Sequence, residues 1–329
     1  MRYRSLLAVG ICSAALAACG SGSGNSDDGP DTGTLDLKIT DSPLDDAAEV
    51  VVVFTGVELK PAGGDSFSID FCDVQTNPED CRSIDLLLLQ DGATDDLLVG
   101  ETVDAGEYEW MRLKVLAEMN QQDGSYILLD NGEQYPLFVP SGAQTGLKLV
   151  RPFTVATGGI TRLVVDFDVR KSVIAPPGLA PNYLLKPALR LMDELQTGTI
   201  EGVVDIAELG TAQEVETCNG GVYLFAGPGA TPDDMDGIDE DGADPVVYNI
   251  LEADEEGGTS ASYMFSFVEA GEYTVAFTCS FDVDVAADES EYDPTAEEGE
   301  EGFETMAWSV LDVTVVADDT VVVDYPQVP

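Results

Sequence analysis

The chain has 329 residues, with 14 Lys+Arg against 63 Asp+Glu and no histidine, a formal charge of −49. This excludes histidine-based triads, histidine general bases and most zinc sites, and a body this negative repels nucleic acid. Apolar residues at 44% supply an ordinary globular core, and the length allows two domains.

Residues 1–18 have the make-up of a leader. Arg2 and Arg4 form a positive start, and Ser5 to Ala18 form a short apolar run. A run of roughly a dozen residues falls short of the ~20 needed to cross a bilayer as a helix. The segment Leu16-Ala17-Ala18-Cys19 resembles the lipobox of bacterial lipoproteins. That resemblance implies cleavage before Cys19, acylation of its sulfur and anchoring to a membrane; an ordinary signal peptide carrying a cysteine is the alternative. Gly20 stands where many inner-membrane lipoproteins have Asp, which favours the outer membrane. Residues 19–33, rich in Gly, Ser and Asp, are expected to be a flexible tether with a reach of roughly 20 Å.

Beyond the tether, period-two apolar patterns predict strands. They fall at Leu35 to Ile39, Val50 to Phe54, Met111 to Val115, Leu163 to Val169, Tyr263 to Val268, Tyr273 to Phe277 and Val310 to Val316. Short helices are expected only at Ile84 to Gln90 and near Asp45 to Glu49. Such a series predicts an all-β protein of antiparallel sandwiches.

Three motifs recur in order. Gly33-Thr34-Leu35 returns as Gly198-Thr199-Ile200, and Val103 to Tyr108 (VDAGEY) returns as Val268 to Tyr273 (VEAGEY), both at a shift of 165. Leu163 to Phe167 (LVVDF) returns as Val321 to Tyr325 (VVVDY) at a shift of 158. We therefore expect two related domains, 34–197 and 198–329; similarity of β-sequences by composition is the alternative.

The first of these resembles a known family. Ile84-Asp85-Leu86-Leu87, Ala105 to Tyr108 leading to Met111-Arg112-Leu113, Val139-Pro140-Ser141-Gly142, Gly146-Leu147-Lys148-Leu149, Asp166 to Ser172 and Tyr183 to Arg190 follow one another. Together they resemble the domain-of-unknown-function 4382 family of bacterial lipoproteins over about residues 33–195. The family implies a β-rich fold and an envelope location, and it brings no activity. The second half opens Gly198-Thr199-Ile200 with Gly202 and Val204 and carries the Gly271-x-Tyr273 strand. It resembles transthyretin-like or carboxypeptidase-regulatory-like modules, which implies a prealbumin-like sandwich.

Six cysteines fit an exported chain. Cys12 leaves with the leader and Cys19 takes the lipid. The expected pairs are Cys72–Cys81 and Cys218–Cys279, one of three connectivities that four cysteines allow.

Charge is segregated. After the leader, all 12 Lys+Arg lie before residue 191, whereas residues 198–329 hold 33 Asp+Glu and no cation. Arg112 and Lys114 share one strand face, and Asp166, Asp168 and Arg170 are expected to share another. If those strands are neighbours, Lys148, Arg170 and Arg190 are candidates for holding an anionic ligand. Cross-strand ion pairing on a solvated face is the plainer reading, which the acid excess favours. Lys148 stands out because Leu147, Leu149 and Val150 surround it.

The acidic stretch 233–244 places carboxylates at alternating positions around glycines. Asp234, Asp236, Asp239, Asp241 and Asp244 are candidate calcium ligands, with a solvated loop as the competing reading. Only carboxylate chemistry remains for an enzyme, so the expectation is a non-catalytic binding or surface-structural module. A carboxylate-dependent glycan hydrolase and an assembly partner of another envelope protein are the alternatives. Expected partners are the membrane, through the lipid, and a glycan or envelope protein.

Overall fold

The structure, a computed structural model, describes residues 31–42, 47–121, 123–140, 146–175, 182–186, 188–213, 218, 220–233, 243–251, 258–280 and 307–326. The expected signal peptide, Cys19 and residues 20–30 of the expected tether lie outside the described residues, and the tether is shorter than expected at its far end, because Thr32 and Gly33 already pair with Asp104 and Val103 in β1. Strands dominate, as the alternation requires. The first fourteen are β1 (Thr32–Ser42), β2 (Ala47–Pro61), β3 (Phe67–Asp70), β4 (Arg82–Asp85), β5 (Asp95–Asp104), β6 (Gly106–Val115) and β7 (Tyr126–Leu129). They continue with β8 (Gln134–Phe138), β9 (Leu147–Leu149), β10 (Phe153–Val155), β11 (Ile160–Asp168), β12 (Val173–Ile174), β13 (Tyr183–Leu185) and β14 (Leu189–Asp193). The helical turn α1 (Val169–Ser172) follows β11.

These strands form two sheets. One has the order β14-β11-β1-β5; the other runs β10-β6-β2-β7-β8-β13-β12, with β3 and β4 also on β2 and β9 on β6. Leu35, Leu37 and Ile39 of β1 meet Val52, Phe54, Val57 and Leu59 of β2 in a common core, all fully buried. A core of this kind follows from alternation, because every second residue of each strand points at the facing sheet.

A second pair of sheets follows. Its strands are β15 (Thr197–Asp205), β16 (Gly221–Ala226), β17 (Val247–Ile250), β18 (Ser260–Glu269), β19 (Gly271–Thr278), β20 (Ser309–Val315) and β21 (Thr320–Val322), with α2 (Ile206–Ala212) after β15. Their orders are β18-β15-β21 and β17-β16-β19-β20.

The repeated motifs occupy matching places. β1 pairs antiparallel with β5 and parallel with β11, and β15 does the same with β18 and β21. The hydroxyls of Tyr108 and Tyr273 each donate to the carbonyl four residues earlier, that of Asp104 at 2.8 Å and that of Glu269 at 2.9 Å. The two opening glycines share one task. A Cβ on Gly33 would stand 2.3 Å from the Ala156 carbonyl oxygen, and one on Gly198 would stand 2.4 Å from that of Val316. Neither backbone oxygen can yield to a methyl group, so glycine is required at both places.

Several local expectations are corrected. Parallel pairings between β1 and β11, β8 and β13, and β15 and β21 make the sheets mixed, not purely antiparallel. Ile84 to Gln90 is no α-helix: Ile84 ends in β4, and Leu86–Leu89 form a single 3-10 turn capped by the Asp85 carboxylate. A run of leucines carries no helical period; the turn buries Leu86 and Leu89 and leaves Leu88 exposed. Ala47 to Glu49 belong to β2, where they pair with β7, so the helix expected near Asp45 is absent from its described part.

Two tyrosines of the second core make a pH prediction. The Tyr263 hydroxyl donates to the Val323 carbonyl at 2.6 Å and the Tyr325 hydroxyl to the Val275 carbonyl at 2.7 Å. Burial, more than the neighbouring Asp324 or Tyr263, pushes both far above the ordinary tyrosine value. A folded-state value above the unfolded one, near 10, leaves stability intact below about pH 10 and erodes it above, where only the unfolded phenol ionises. We expect phenolate absorbance from these two residues to appear together with unfolding in an alkaline titration. Ionisation of both near pH 10 in the folded protein would contradict the burial account.

Candidate binding surfaces

The three nominated cations do not converge. β6 lies in the larger sheet of the first pair and β11 in the facing one, so the face of mixed charge anticipated from neighbouring strands is split between two sheets. Nor is Arg170 on the strand face of Asp166. β11 ends at Asp168, whose carboxylate accepts the Lys171 N–H at 3.0 Å and caps α1, placing Arg170 on the helical turn. Burial raises the Asp168 carboxyl above its ordinary value, against the lowering effect of the Lys171 N–H and ammonium.

Arg190 faces Asp166 directly across β14 and β11. Its Nε donates to Asp166 Oδ2 at 2.9 Å and Nη2 donates to the same oxygen; the carboxylate retains 5% exposure against 41% for the arginine. This pair sits where the second pair of sheets meets the first. Asp166 and Arg190 line a cavity of about 40 Å³ with Thr40, Asp91, Asn249 and Phe265. Asn249 donates its Nδ2 to Asp91 at 2.9 Å, and the Arg170 guanidinium lies 5.2 Å above the Tyr248 ring. Arg151 of the first pair of sheets also pairs with Glu269 of the second. Arg170 and Arg190 thus both serve the junction between the sheet pairs.

Lys148 is elsewhere. It lies opposite Arg112 in the pairing of β9 with β6, on the outward face of the larger sheet. Its ammonium stands 4.3 Å from the centre of the Trp110 ring, and the Arg112 guanidinium stands 5.0 Å from the same ring. Arg112 also pairs at 2.6 Å with Glu58, its cross-strand partner on β2, so here the expected cross-strand pairing is realised. Lys60 lies opposite Trp110 on β2, and its ammonium donates to the Gly64 carbonyl. The alternation Trp110-x-Arg112-x-Lys114 carries the signal that an aromatic stands in this basic row.

A larger cleft of about 670 Å³ opens beside the Cys72–Cys81 loop, lined by Asp70, Asp73, Asn77, Asp80 and Lys114. Lys114 pairs with Asp70 at its edge. The backbone N–H of Gln75, ahead of the Thr76 hydroxyl, holds the Asp73 carboxyl below the ordinary range.

Both expected disulfides are present, Cys72–Cys81 and Cys218–Cys279. Of the candidate calcium ligands, Asp234, Asp236, Asp239 and Asp241 lie outside the described residues. Asp244 is described, just after the bridge between Pro232 and Ala243 that closes the base of that loop. Among the described residues no group of three or more acids or cysteines is disposed to hold a metal ion.

Comparison with known proteins places residues 32–187 in the family described as domain of unknown function (DUF4382). No curated protein matches the chain. Among solved structures it is similar to the minor pilin GBS52 of Streptococcus agalactiae, at 13% identity and a TM-score of 0.17 over 89% of this chain and 98% of that one. It is also similar to a candidate adhesin of Bacteroides ovatus ATCC 8483, at 9% identity and a TM-score of 0.21 over 96% of this chain and 100% of that one. Likenesses this distant transfer no activity.

Proposed function

We propose that this chain, whose residues 32–187 match the DUF4382 family model, is a lipid-anchored protein of the bacterial outer membrane that binds or builds at the surface without catalysis. The observation that carries this reading is how the cations are spent. Arg190 and Arg170 brace the junction between the sheet pairs, while Lys148 and Arg112 lie against Trp110 on an outward face. Such an arrangement holds a rigid body together and leaves one surface for contact.

The envelope address is supported by the Leu16 to Cys19 lipobox and by four cysteines in two disulfides, which persist in oxidising compartments. Two domains of related plan, one from β1 to β14 and one from β15 to β21, then stand on the tether that precedes β1. Calcium held by the 233–244 loop would add to the rigidity of the second.

Incubating the mature chain with envelope and marine polysaccharides tests the non-catalytic part. We expect no release of new reducing ends. Release that a single Asp→Asn substitution abolishes would establish a carboxylate-dependent glycan hydrolase instead.

A further inference from the structure

In a chain with 63 acids, cations are expected to be matched by carboxylates at close range. Two lysines on one sheet face are not. Among the described residues Lys148 meets only the Trp110 ring, and Lys60 only the Gly64 carbonyl. They flank the same indole, Lys60 from β2 and Lys148 from β9, with the Glu58-paired Arg112 between them. The indole restrains the Arg112 and Lys148 side chains, which lowers the entropy either would lose on meeting a ligand.

We propose that this outward face around Trp110 is a docking surface for an acidic polysaccharide, with Lys60, Arg112 and Lys148 meeting its carboxylate or sulfate groups. This deepens the binding role proposed above and rests on it. The face is a row and not a hollow: Trp110 to Lys114 spans about 14 Å of one strand, which suits an extended polymer. A stable protein partner would need an apolar centre to its interface, and this row offers charges and a single indole. Repulsion from the rest of the molecule reaches little of it, since charges farther off than about 8 Å are screened at physiological ionic strength. A glycan bearing one charge per sugar or two is also far less dense in charge than duplex DNA.

The test uses the whole mature chain, kept soluble by Cys19→Ser, with alginate and heparin as acidic probes and dextran as the neutral one. Binding to alginate or heparin is expected, and dextran is expected not to bind. Lys60→Glu combined with Lys148→Glu should raise the dissociation constant at least about tenfold, as should Trp110→Ala, each equivalent to one lost contact or more. Arg162→Gln on the opposite sheet should leave it unchanged. The lysine variants change two surface charges and no buried residue, so they remain informative if Trp110→Ala fails to fold. Equal binding of dextran, or undiminished binding by the double lysine variant, would overturn the proposal. So would attachment only to anionic lipid vesicles or to a second copy of the chain. If the Cys19→Ser chain binds none of the probes while the unaltered protein carries lipid on Cys19, this surface alone is overturned and the anchored module stands.

Discussion

Replacing Cys218 and Cys279 by serine should destabilise the second pair of sheets by about 4 kcal/mol, the chain-entropy value for closing so long a loop. The crosslink spans 61 residues. It ties residue 218, just ahead of β16, to Cys279 beyond the end of β19, with Cys279 buried in the second core. The acidic inserts between these strands make the reduced chain costly to fold, because 33 carboxylates and no cation repel one another in that half. Losing the Cys72–Cys81 crosslink, with a separation of only 9 residues, should cost about 2–3 kcal/mol on the same basis. Urea unfolding of the two double-serine variants checks the order. A larger loss from the short loop would show that the crosslinks act through local strain and not through the unfolded chain.

Arg190→Ala should be the most damaging single charge removal, at about 2–3 kcal/mol. Breaking a buried ion pair commonly costs more than that, but Arg190 is 41% exposed and solvent screens part of the interaction. What remains is the Asp166 carboxylate, 5% exposed, at a junction that also buries Asp41. Asp166→Asn together with Arg190→Gln should recover much of the loss, since no charge is then stranded. Thermal melting of the single and double variants measures the coupling. Additive losses would mean that Asp166 and Arg190 contribute independently and that the junction does not depend on their pairing.

Much of this architecture was legible in the residues. Alternation in Met111 to Val115 and in Leu163 to Phe167 marks β6 and β11 because a sheet with one buried face imposes a period of two. Repetition of Gly33-Thr34-Leu35 and of the Gly-Glu-Tyr turn marks the shared plan, because Gly33 and Gly198 each sit against a backbone oxygen and Tyr108 and Tyr273 each donate to the carbonyl four residues earlier. The cysteine pairs followed from proximity and compartment. Sheet membership was not legible. Arg112 and Asp166 look alike as strand residues, and only long-range pairing assigns β6 and β11 to facing sheets. Arg170 escaped the strand pattern because Asp168 caps a helical turn, a local hydrogen bond that outcompetes strand continuation. Trp110 could have been seen beforehand, two residues from Arg112 on the same face. What alternation could not show was that Lys148 and Lys60 would be carried to either side of it by β9 and β2.

Anchoring at Cys19 is the claim on which location, oxidation state and surface partner all depend. Mass spectrometry of the N-terminal peptide of the protein extracted from membranes addresses it directly. The account predicts a peptide beginning at Cys19 with lipid on its sulfur. A soluble cytosolic chain that retains Met1 and an unmodified Cys19 would contradict it.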